Sequence, residues 1–192
     1  MAIARRIVAS RSFVPSLIVG ATSLVILLVL NPWLLLDPST PSGGDMGAHV
    51  YAPAYLRDVL LPSGRIGGWS NDWFAGFPLF YFYFPLPSLV IVFFDLFLPY
   101  GVAFKLATVV GLIGTPPAVY FMTRSFRFSS TVAAVAASSA AVFVFMESFT
   151  IYGGNVASTL AGEFSYSWSF ALGFVYLGLL ARIVEGERHL IP

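Results

Sequence analysis

Long uncharged segments follow one another along the chain. Residues 12–36 contain no Asp, Glu, Lys or Arg, and four later segments share this property: 73–94, 106–123, 128–146 and 164–181. A helix needs about 20 predominantly apolar residues to cross the hydrocarbon core of a bilayer. The pattern therefore predicts an all-α polytopic membrane protein with about four transmembrane helices, at about 13–36, 103–123, 129–146 and 166–183.

The segment between the first two of these helices, residues 37–102, has a different pattern. Nine of the sixteen residues in 69–84 are aromatic, as at a membrane–water boundary. Pro85 and Pro87 interrupt any continuous helix through 79–98, because proline lacks the backbone N–H and clashes with the preceding turn. We expect an outer loop with interfacial or re-entrant helices here. A fifth span broken by the prolines is the alternative.

The basic residues test these two threadings, since the cytoplasmic loops of membrane proteins are enriched in Lys and Arg. Without a span at 79–98, seven basic residues lie on the side of the amino terminus and three on the other, Arg57, Arg65 and Lys105. With a span there, the numbers become four and six, so the first threading is favoured. It predicts a cytoplasmic amino terminus, and it places 37–102 and a second loop, 147–165, on the outer side of the plasma (inner) membrane.

Composition agrees with this class and excludes several kinds of function. The chain is 58% hydrophobic and 10% charged, whereas soluble domains carry roughly 25% charged residues. A net charge of +1 offers no basic stripe for nucleic acid. There is no cysteine, there are only two histidines, and no GxxxxGK[ST] phosphate loop occurs. We therefore expect no thiol chemistry, no metal, no cofactor and no nucleic-acid partner.

Polar chemistry is concentrated in the stretch PSGGDMGAHVYAPAYLRD, residues 41–58. Asp45 precedes a pattern typical of an amphipathic helix that lies in the membrane interface. Asp45 and His49 are four residues apart and would share one face of that helix. The alternative is that Asp45 only caps the helix, a position that Asp favours, and that His49 is a histidine whose hydrogen bonds are satisfied at the interface.

The second outer loop contains the other candidates. Glu163 lies at the mouth of the last span, and an acidic residue just inside an apolar helix is costly and therefore a functional candidate. A carboxylate solvated among lipid headgroups is the alternative. Asn155 follows two glycines, a sequence typical of a turn.

Two carboxylates facing each other outside a membrane suit general-base catalysis, in which one takes the proton of an acceptor hydroxyl while a leaving group departs. The membrane itself would then supply the donor. A lipid-phosphate-linked sugar fits this requirement, because its isoprenoid tail could lie along the aromatic segment.

The order of the parts also carries a resemblance. One span is followed by an outer loop with an early aspartate, then by NDWFAGFPLFYFYFPLP and AFKLATVVGLIGTPPAVYFMTRSFRF, and then by a small-residue helix that leads to Gly162-Glu163. This order resembles the amino-terminal half of GT-C-fold integral membrane glycosyltransferases. It is similar to that of bacterial membrane proteins labelled as related to 6-pyruvoyl-tetrahydropterin synthase. The stretch from Trp73 to Phe80 is the most specific match.

The resemblance implies a GT-C-like fold, a polyprenyl-phosphate sugar donor, an active site that faces away from the cytoplasm, and a catalytic role for Asp45. Asp45 would be the general base and Glu163 would orient donor or acceptor. The remaining expected substrate contacts are His49, Arg57, Trp73, Tyr81 and Asn155.

The expected partners are the lipid-linked donor, membrane lipids and an acceptor glycan or lipid. The family has more spans than residues 1–192, read as a single membrane domain, so we also expect a missing carboxy-terminal part or a partner subunit. The alternative function is that of a non-enzymatic membrane protein, either an assembly scaffold or a transporter fragment.

Overall fold

The computed structural model describes residues 2–148 and 151–186, and the side chains from residue 13 onward within them. Helices make up most of this part of the chain: α1 (Ala2–Val29), α2 (Pro32–Leu35), α3 (Met46–Tyr55), α4 (Leu86–Asp95), α5 (Tyr100–Ser125), α6 (Ser130–Val144), α7 (Val156–Ser158) and α8 (Phe164–Val184). A π-helix, Leu56–Leu60, and a 3₁₀ turn, Leu61–Ser63, extend α3, and a second π-helix, Thr159–Glu163, joins α7 to α8. The prediction of an all-α protein is confirmed.

Two of the described helices are long and apolar enough to cross a membrane. They are α5 and the helical segment Val156–Val184, which contains α7 and α8 and is kinked at Gly162. The apolar part of α1, Phe13–Val29, and the helix α6 are shorter. Two of the four predicted spans, the second and the fourth, therefore meet this requirement by length and composition.

α5 and α8 run side by side in the same direction. Near the start of both helices, the rings of Phe104 and Phe164 lie 5.6 Å apart between centroids. Near their ends, Arg182 Nε donates a hydrogen bond to Ser125 Oγ at 2.9 Å. Two parallel helices that are neighbours in space require a connection that returns to the starting end, and α6 provides it.

α1 runs opposite to α5 and alongside α6. Ser23 Oγ donates to the carbonyl oxygen of Ile113 at 2.9 Å, whereas Lys105, closer to the start of α5, donates to the carbonyl oxygen of Leu34, which follows α1. On the other side of α1, the hydroxyls of Thr22 and Ser138 lie 3.3 Å apart. The ends of α1 and α6 and the beginnings of α5 and α8 therefore lie at one end of the bundle.

The first predicted span is broken near its end. The sequence predicts one helix over 13–36, but α1 ends at Val29 and α2 begins at Pro32. Asn31 adopts a left-handed backbone conformation with a φ of 55°, which an α-helix cannot accommodate. The proline that follows cannot donate a helical hydrogen bond. The other three predicted spans differ from the observed helices by at most three residues at either end.

The segment 79–98 contains only the ten-residue helix α4. A helix of this length measures about 15 Å at 1.5 Å per residue, half of the roughly 30 Å needed to cross the hydrocarbon core. Pro85 occupies its N-cap position and Pro87 its first turn, so the prolines begin a helix here and do not interrupt one. α4 packs against α3 and α5.

Two strands form the only sheet in the described part of the chain, and the sequence did not predict them. β1 (Gly68–Ser70) pairs with β2 (Phe77–Leu79) in an antiparallel hairpin, with Trp69 opposite Pro78. A buried cluster lies beside α3, the helix that supports the hairpin, and consists of Met46, Ile91, Phe104, Ala107 and Phe164. It joins α3, α4, α5 and α8, and so fixes the loop segments at this end of the bundle relative to one another.

Candidate functional site

The two loops that carry the predicted carboxylates meet at the end of the bundle. The backbone N–H of Asp45 donates to the carbonyl oxygen of Ala161 at 2.7 Å. Gly162 has a φ of 135°, and a Cβ placed on it would lie 2.9 Å from the Cβ of Asp45. Gly44, with a φ of 51°, lies closer still, since a Cβ placed on it would be 2.3 Å from the carbonyl oxygen of Ala161. Both contacts require glycine, because a side chain would separate the two backbones.

Asp45 occupies the N-cap position of α3 without acting as a cap. Its φ of −88° and ψ of 3° differ from the extended conformation usual at this position, and its side chain makes no capping hydrogen bond. The residue is exposed. The interpretation of Asp45 as a capping residue is therefore wrong, and its carboxylate remains available for other contacts.

His49 lies one helical turn after Asp45 and is half-buried. Its backbone N–H donates to the carbonyl oxygen of Asp45 at 3.1 Å, and its ring contacts those of Phe164 and Tyr83 at centroid distances of 5.4 and 5.8 Å. Burial lowers the pKa of His49, against the opposing effects of the carboxylates of Asp45 and Glu163. The imidazole is therefore neutral at pH 7 although two carboxylates lie near it.

An aromatic cavity opens beside Asp45 and His49. Its volume is about 270 Å³, and it lies between α3, the β1–β2 hairpin, the start of α4 and the start of α8. The hairpin contributes Trp73, Phe74 and Phe77 to its wall, and Phe164 contributes from α8. Among the residues that line this cavity, Asp45 and His49 are the charged or readily charged ones. Such a cavity can hold an apolar or ring-shaped group with a polar edge turned toward the carboxylate.

Hydrogen bonds from α3 hold the hairpin in place. The hydroxyl of Tyr51 lies within hydrogen-bond distance of Ser70 Oγ and donates to Asp72 at 3.0 Å. Tyr55 donates its hydroxyl hydrogen to the carbonyl oxygen of Trp69. The ring of Trp73 also packs edge-on against Tyr51, with the centroids 5.7 Å apart. The aromatic wall is thus rigidly attached to the helix that carries Asp45 and His49.

Of the seven residues predicted for the site, the structure brings four to one place. Asp45, His49 and Trp73 line the cavity. Glu163 is exposed and does not line it, but the carboxylate lies close enough to His49 to act on its pKa. The two loops therefore meet through their backbones, and the carboxylates of Asp45 and Glu163 both act on the pKa of His49.

Arg57 lies outside the cavity and is fully engaged elsewhere. Its guanidinium group forms ion pairs with Asp58 and Asp95, each at 2.6 Å, and lies over the ring of Tyr100 at 5.3 Å from the centroid. The two carboxylates raise the pKa of Arg57, while the guanidinium lowers that of Asp58. This geometry connects the π-helix after α3 to α4 and α5, and Arg57 is not among the residues that line the cavity.

Asn155 and Tyr81 are also placed away from the cavity. Asn155 has no exposed surface. Its side chain caps α7 by accepting from the backbone N–H of Ser158, and donates to the carbonyl oxygen of Met146, both at 2.8 Å. Tyr81 is 67% exposed at the surface. The expectation of substrate contacts from these two residues is not supported, because Asn155 holds the second loop together and Tyr81 faces outward.

Several residues of the site escaped prediction from sequence. Tyr83 and Phe84 line the cavity from the segment before α4, and Ser88 and Ser165 add uncharged polar groups to its wall. No local pattern distinguishes these residues from their neighbours, because their position depends on how α4 and α8 pack against α3. Gly162 could have been noticed, since it is a glycine next to a candidate carboxylate inside a helical pattern.

No group of three or more His, Cys, Asp or Glu residues in the described chain is arranged to hold a metal ion. The carboxylate, imidazole and aromatic rings of the cavity can together bind an organic group or act in general-base catalysis. Comparison of the chain with protein-family models, with curated proteins and with solved structures finds no match.

Proposed function

We propose that the chain is a membrane glycosyltransferase module of the GT-C type. It uses a polyprenyl-phosphate-linked sugar as donor, and its site is the cavity beside Asp45 and His49. One observation carries the proposal. An aspartate whose carboxylate is not used in capping lies at the edge of an aromatic cavity that both polar loops help to build.

In this proposal, α1, α5, α6 and α8 cross the plasma (inner) membrane and α3 and α4 lie at its outer surface. The alternating directions of the four helices support an amino terminus on the side opposite the cavity. Arg124 and Arg182 lie in the last turns of α5 and α8, at the end of the bundle away from Asp45. Because basic residues are enriched in cytoplasmic segments, that end faces the cytoplasm and the cavity faces outward.

The chemistry is a direct displacement at the anomeric carbon of the donor sugar. Asp45 accepts the proton of an acceptor hydroxyl, the hydroxyl oxygen forms the new bond to the anomeric carbon, and the polyprenyl phosphate departs with the electrons of the broken bond. The configuration at that carbon is inverted. Glu163 and the neutral imidazole of His49 orient the reacting groups, while Arg57 and Asn155 have structural roles.

The exposed aromatic side chains next to the cavity provide a surface for the lipid part of the donor. Phe74 and Phe82 are 91% and 84% exposed, which is unusual for large apolar residues in contact with water. Aromatic residues are enriched at membrane–water interfaces. An isoprenoid chain lying in the outer leaflet would contact this surface while its phosphate and sugar approach the mouth of the cavity.

The experiment is a transfer assay in membranes that contain the full chain. A polyprenyl-phosphate hexose labelled in the sugar is supplied, and the release of polyprenyl phosphate and of labelled product is measured. Asp45→Asn is expected to lower the rate by about 10²- to 10⁴-fold, because an amide cannot accept the proton. Asp58→Asn, which alters an exposed carboxylate away from the cavity, should leave the rate unchanged.

Two outcomes would contradict the proposal. Full activity of Asp45→Asn would remove the catalytic role of this carboxylate. The absence of turnover with every lipid-linked hexose, in membranes where the chain is folded and abundant, would favour the alternative of a non-enzymatic scaffold or transporter fragment.

A further inference from the structure

The charges around the cavity determine which ligands it can hold. Among its lining residues there is no lysine or arginine, and Asp45 provides a carboxylate. Glu163 lies near enough to act electrostatically on His49, and His49 itself is neutral at pH 7 because burial lowers its pKa. The field in the cavity is therefore negative. A phosphate group placed inside it would meet the carboxylates without a compensating cation.

Two of the three basic residues in the segment 37–105 are already bound to other groups, and the third, Arg65, is exposed and does not line the cavity. Arg57 is paired with Asp58 and Asp95. Lys105 donates to the carbonyl oxygens of Leu34 and Asp37, each at 2.6 Å. Neither turns toward the cavity without giving up these ion pairs or hydrogen bonds.

The aromatic wall adds a second, independent preference. Trp73, Phe74 and Phe77 from the hairpin and Tyr83 and Phe164 from the opposite side surround a space of about 270 Å³. The faces of such rings attract cations, and this attraction is strongest where water is excluded. A cavity that combines several aromatic side chains with a carboxylate at its edge has the composition of the aromatic sites that recognise ammonium groups.

We propose that the cavity binds a positively charged ammonium group of the acceptor, while the phosphate of the donor stays outside its mouth. The inference refines the proposed function, because it assigns the cavity to the acceptor and states the charge of its ligand. Asp45 then lies beside the bound acceptor, where it can receive the proton of a neighbouring hydroxyl. The binding itself requires no transfer reaction and can be measured separately.

The probe is choline, compared with its neutral carbon analogue, in which a tert-butyl group replaces the trimethylammonium group. Binding to the full chain in maltoside micelles is measured by saturation-transfer NMR. We expect choline to bind at least about fivefold more tightly than the neutral analogue, in line with the strength of cation–aromatic attraction. Asp45→Asn and Trp73→Leu should each weaken choline binding by a similar factor, whereas Glu147→Gln, an exposed carboxylate outside the cavity, should not.

Equal binding of the two probes would overturn the inference, because it would leave only apolar burial. Choline binding that neither cavity variant weakens would also overturn the inference. Displacement of choline by inorganic phosphate would overturn it as well. The two proposals fail separately. Selective choline binding without any sugar transfer would contradict the glycosyltransferase function alone, and sugar transfer by a cavity that does not distinguish the probes would contradict the cation site alone.

Discussion

The backbone N–H of Asp45 and the carbonyl oxygen of Ala161, which lie 116 positions apart in the sequence, form a hydrogen bond of 2.7 Å. This bond joins the first residue before α3 to the π-helix that leads into α8. A kink interrupts this segment at Gly162, whose φ of 135° is not helical. Here it turns the backbone of 161–163 toward Asp45, and it brings the carboxylate of Glu163 within electrostatic reach of His49.

Gly162→Ala is expected to break this junction. At a φ of 135° a side chain is strained, and the added Cβ would lie 2.9 Å from that of Asp45. Strain of this kind costs about 1–3 kcal/mol, so the variant should unfold at a lower temperature and lose cross-linking between cysteines placed in the two loops. Gly173→Ala in α8 is the matched control, because nothing lies within 4 Å of its added Cβ. It should be neutral or slightly stabilising. Equal stability of both variants would contradict the tight contact.

The helical bundle could be predicted because its information is local. The spans predicted from the uncharged segments agree with α5, α6 and α8 to within three residues at either end, since charged residues are rare in the apolar middle of such helices. The positive-inside pattern predicts that the two polar loops lie on one side, and in the structure these loops meet. The break in the first helix could also have been predicted, because Asn31 and Pro32 form an Asn-Pro dipeptide, which is a turn signal.

The parts that could not be predicted depend on contacts between distant residues. The three-residue strands β1 and β2 are too short to give a periodic pattern, and β2 contains a proline. They are held by Tyr51 and Tyr55 of α3. Similarly, Arg57 is adjacent to Asp58 in sequence, but its pairing with Asp95 becomes visible only once α4 folds back beside the π-helix.

Cysteine labelling tests the orientation of the bundle, and the chain has no native cysteine. Single cysteines at the exposed positions Ser42, Ser63 and Ser148 should react with a membrane-impermeant thiol reagent in intact cells. Cysteines at Phe126 and Phe128, exposed in the turn between α5 and α6, should react only after the membrane is opened. Labelling of Ser42 and Phe128 without Ser148 would restore a fifth span. Labelling of the two phenylalanine positions alone would reverse the orientation.

The ion pairs of Arg57 should contribute unequally to stability. The side chain of Asp95 is 11% exposed and that of Asp58 57% exposed. Asp95→Asn weakens a largely buried hydrogen bond between two charged groups, so it should lower the free energy of unfolding by about 1–3 kcal/mol. Exposed ion pairs contribute about 0–1 kcal/mol, and Asp58→Asn should therefore have little effect. The comparison is made by thermal unfolding in micelles. A larger effect of Asp58→Asn would show that burial does not decide the contribution.

The stability of the protein should fall when the pH is lowered through the titration range of His49. Burial lowers the pKa of this residue below its ordinary value of 6.5, although Asp45 and Glu163 oppose the shift. The unfolded chain therefore binds a proton at higher pH than the folded protein does. By linkage, the stabilisation from the neutral imidazole is fully present above pH 6.5 and is lost as the pH falls from there toward the folded pKa.

His49→Phe isolates this effect, because it keeps a ring between Phe164 and Tyr83 and removes the titrating group. Unfolding temperatures measured between about pH 7 and pH 5, the range in which histidine titrates, should fall less steeply for the variant than for the wild-type protein. The contribution of His189, which lies outside the described residues, is common to both and cancels in the comparison. Glu163→Gln removes a carboxylate that raises the pKa of His49, so the loss of stability should extend to lower pH. Identical pH dependence of the wild-type protein and His49→Phe would show that the imidazole is not held neutral by burial.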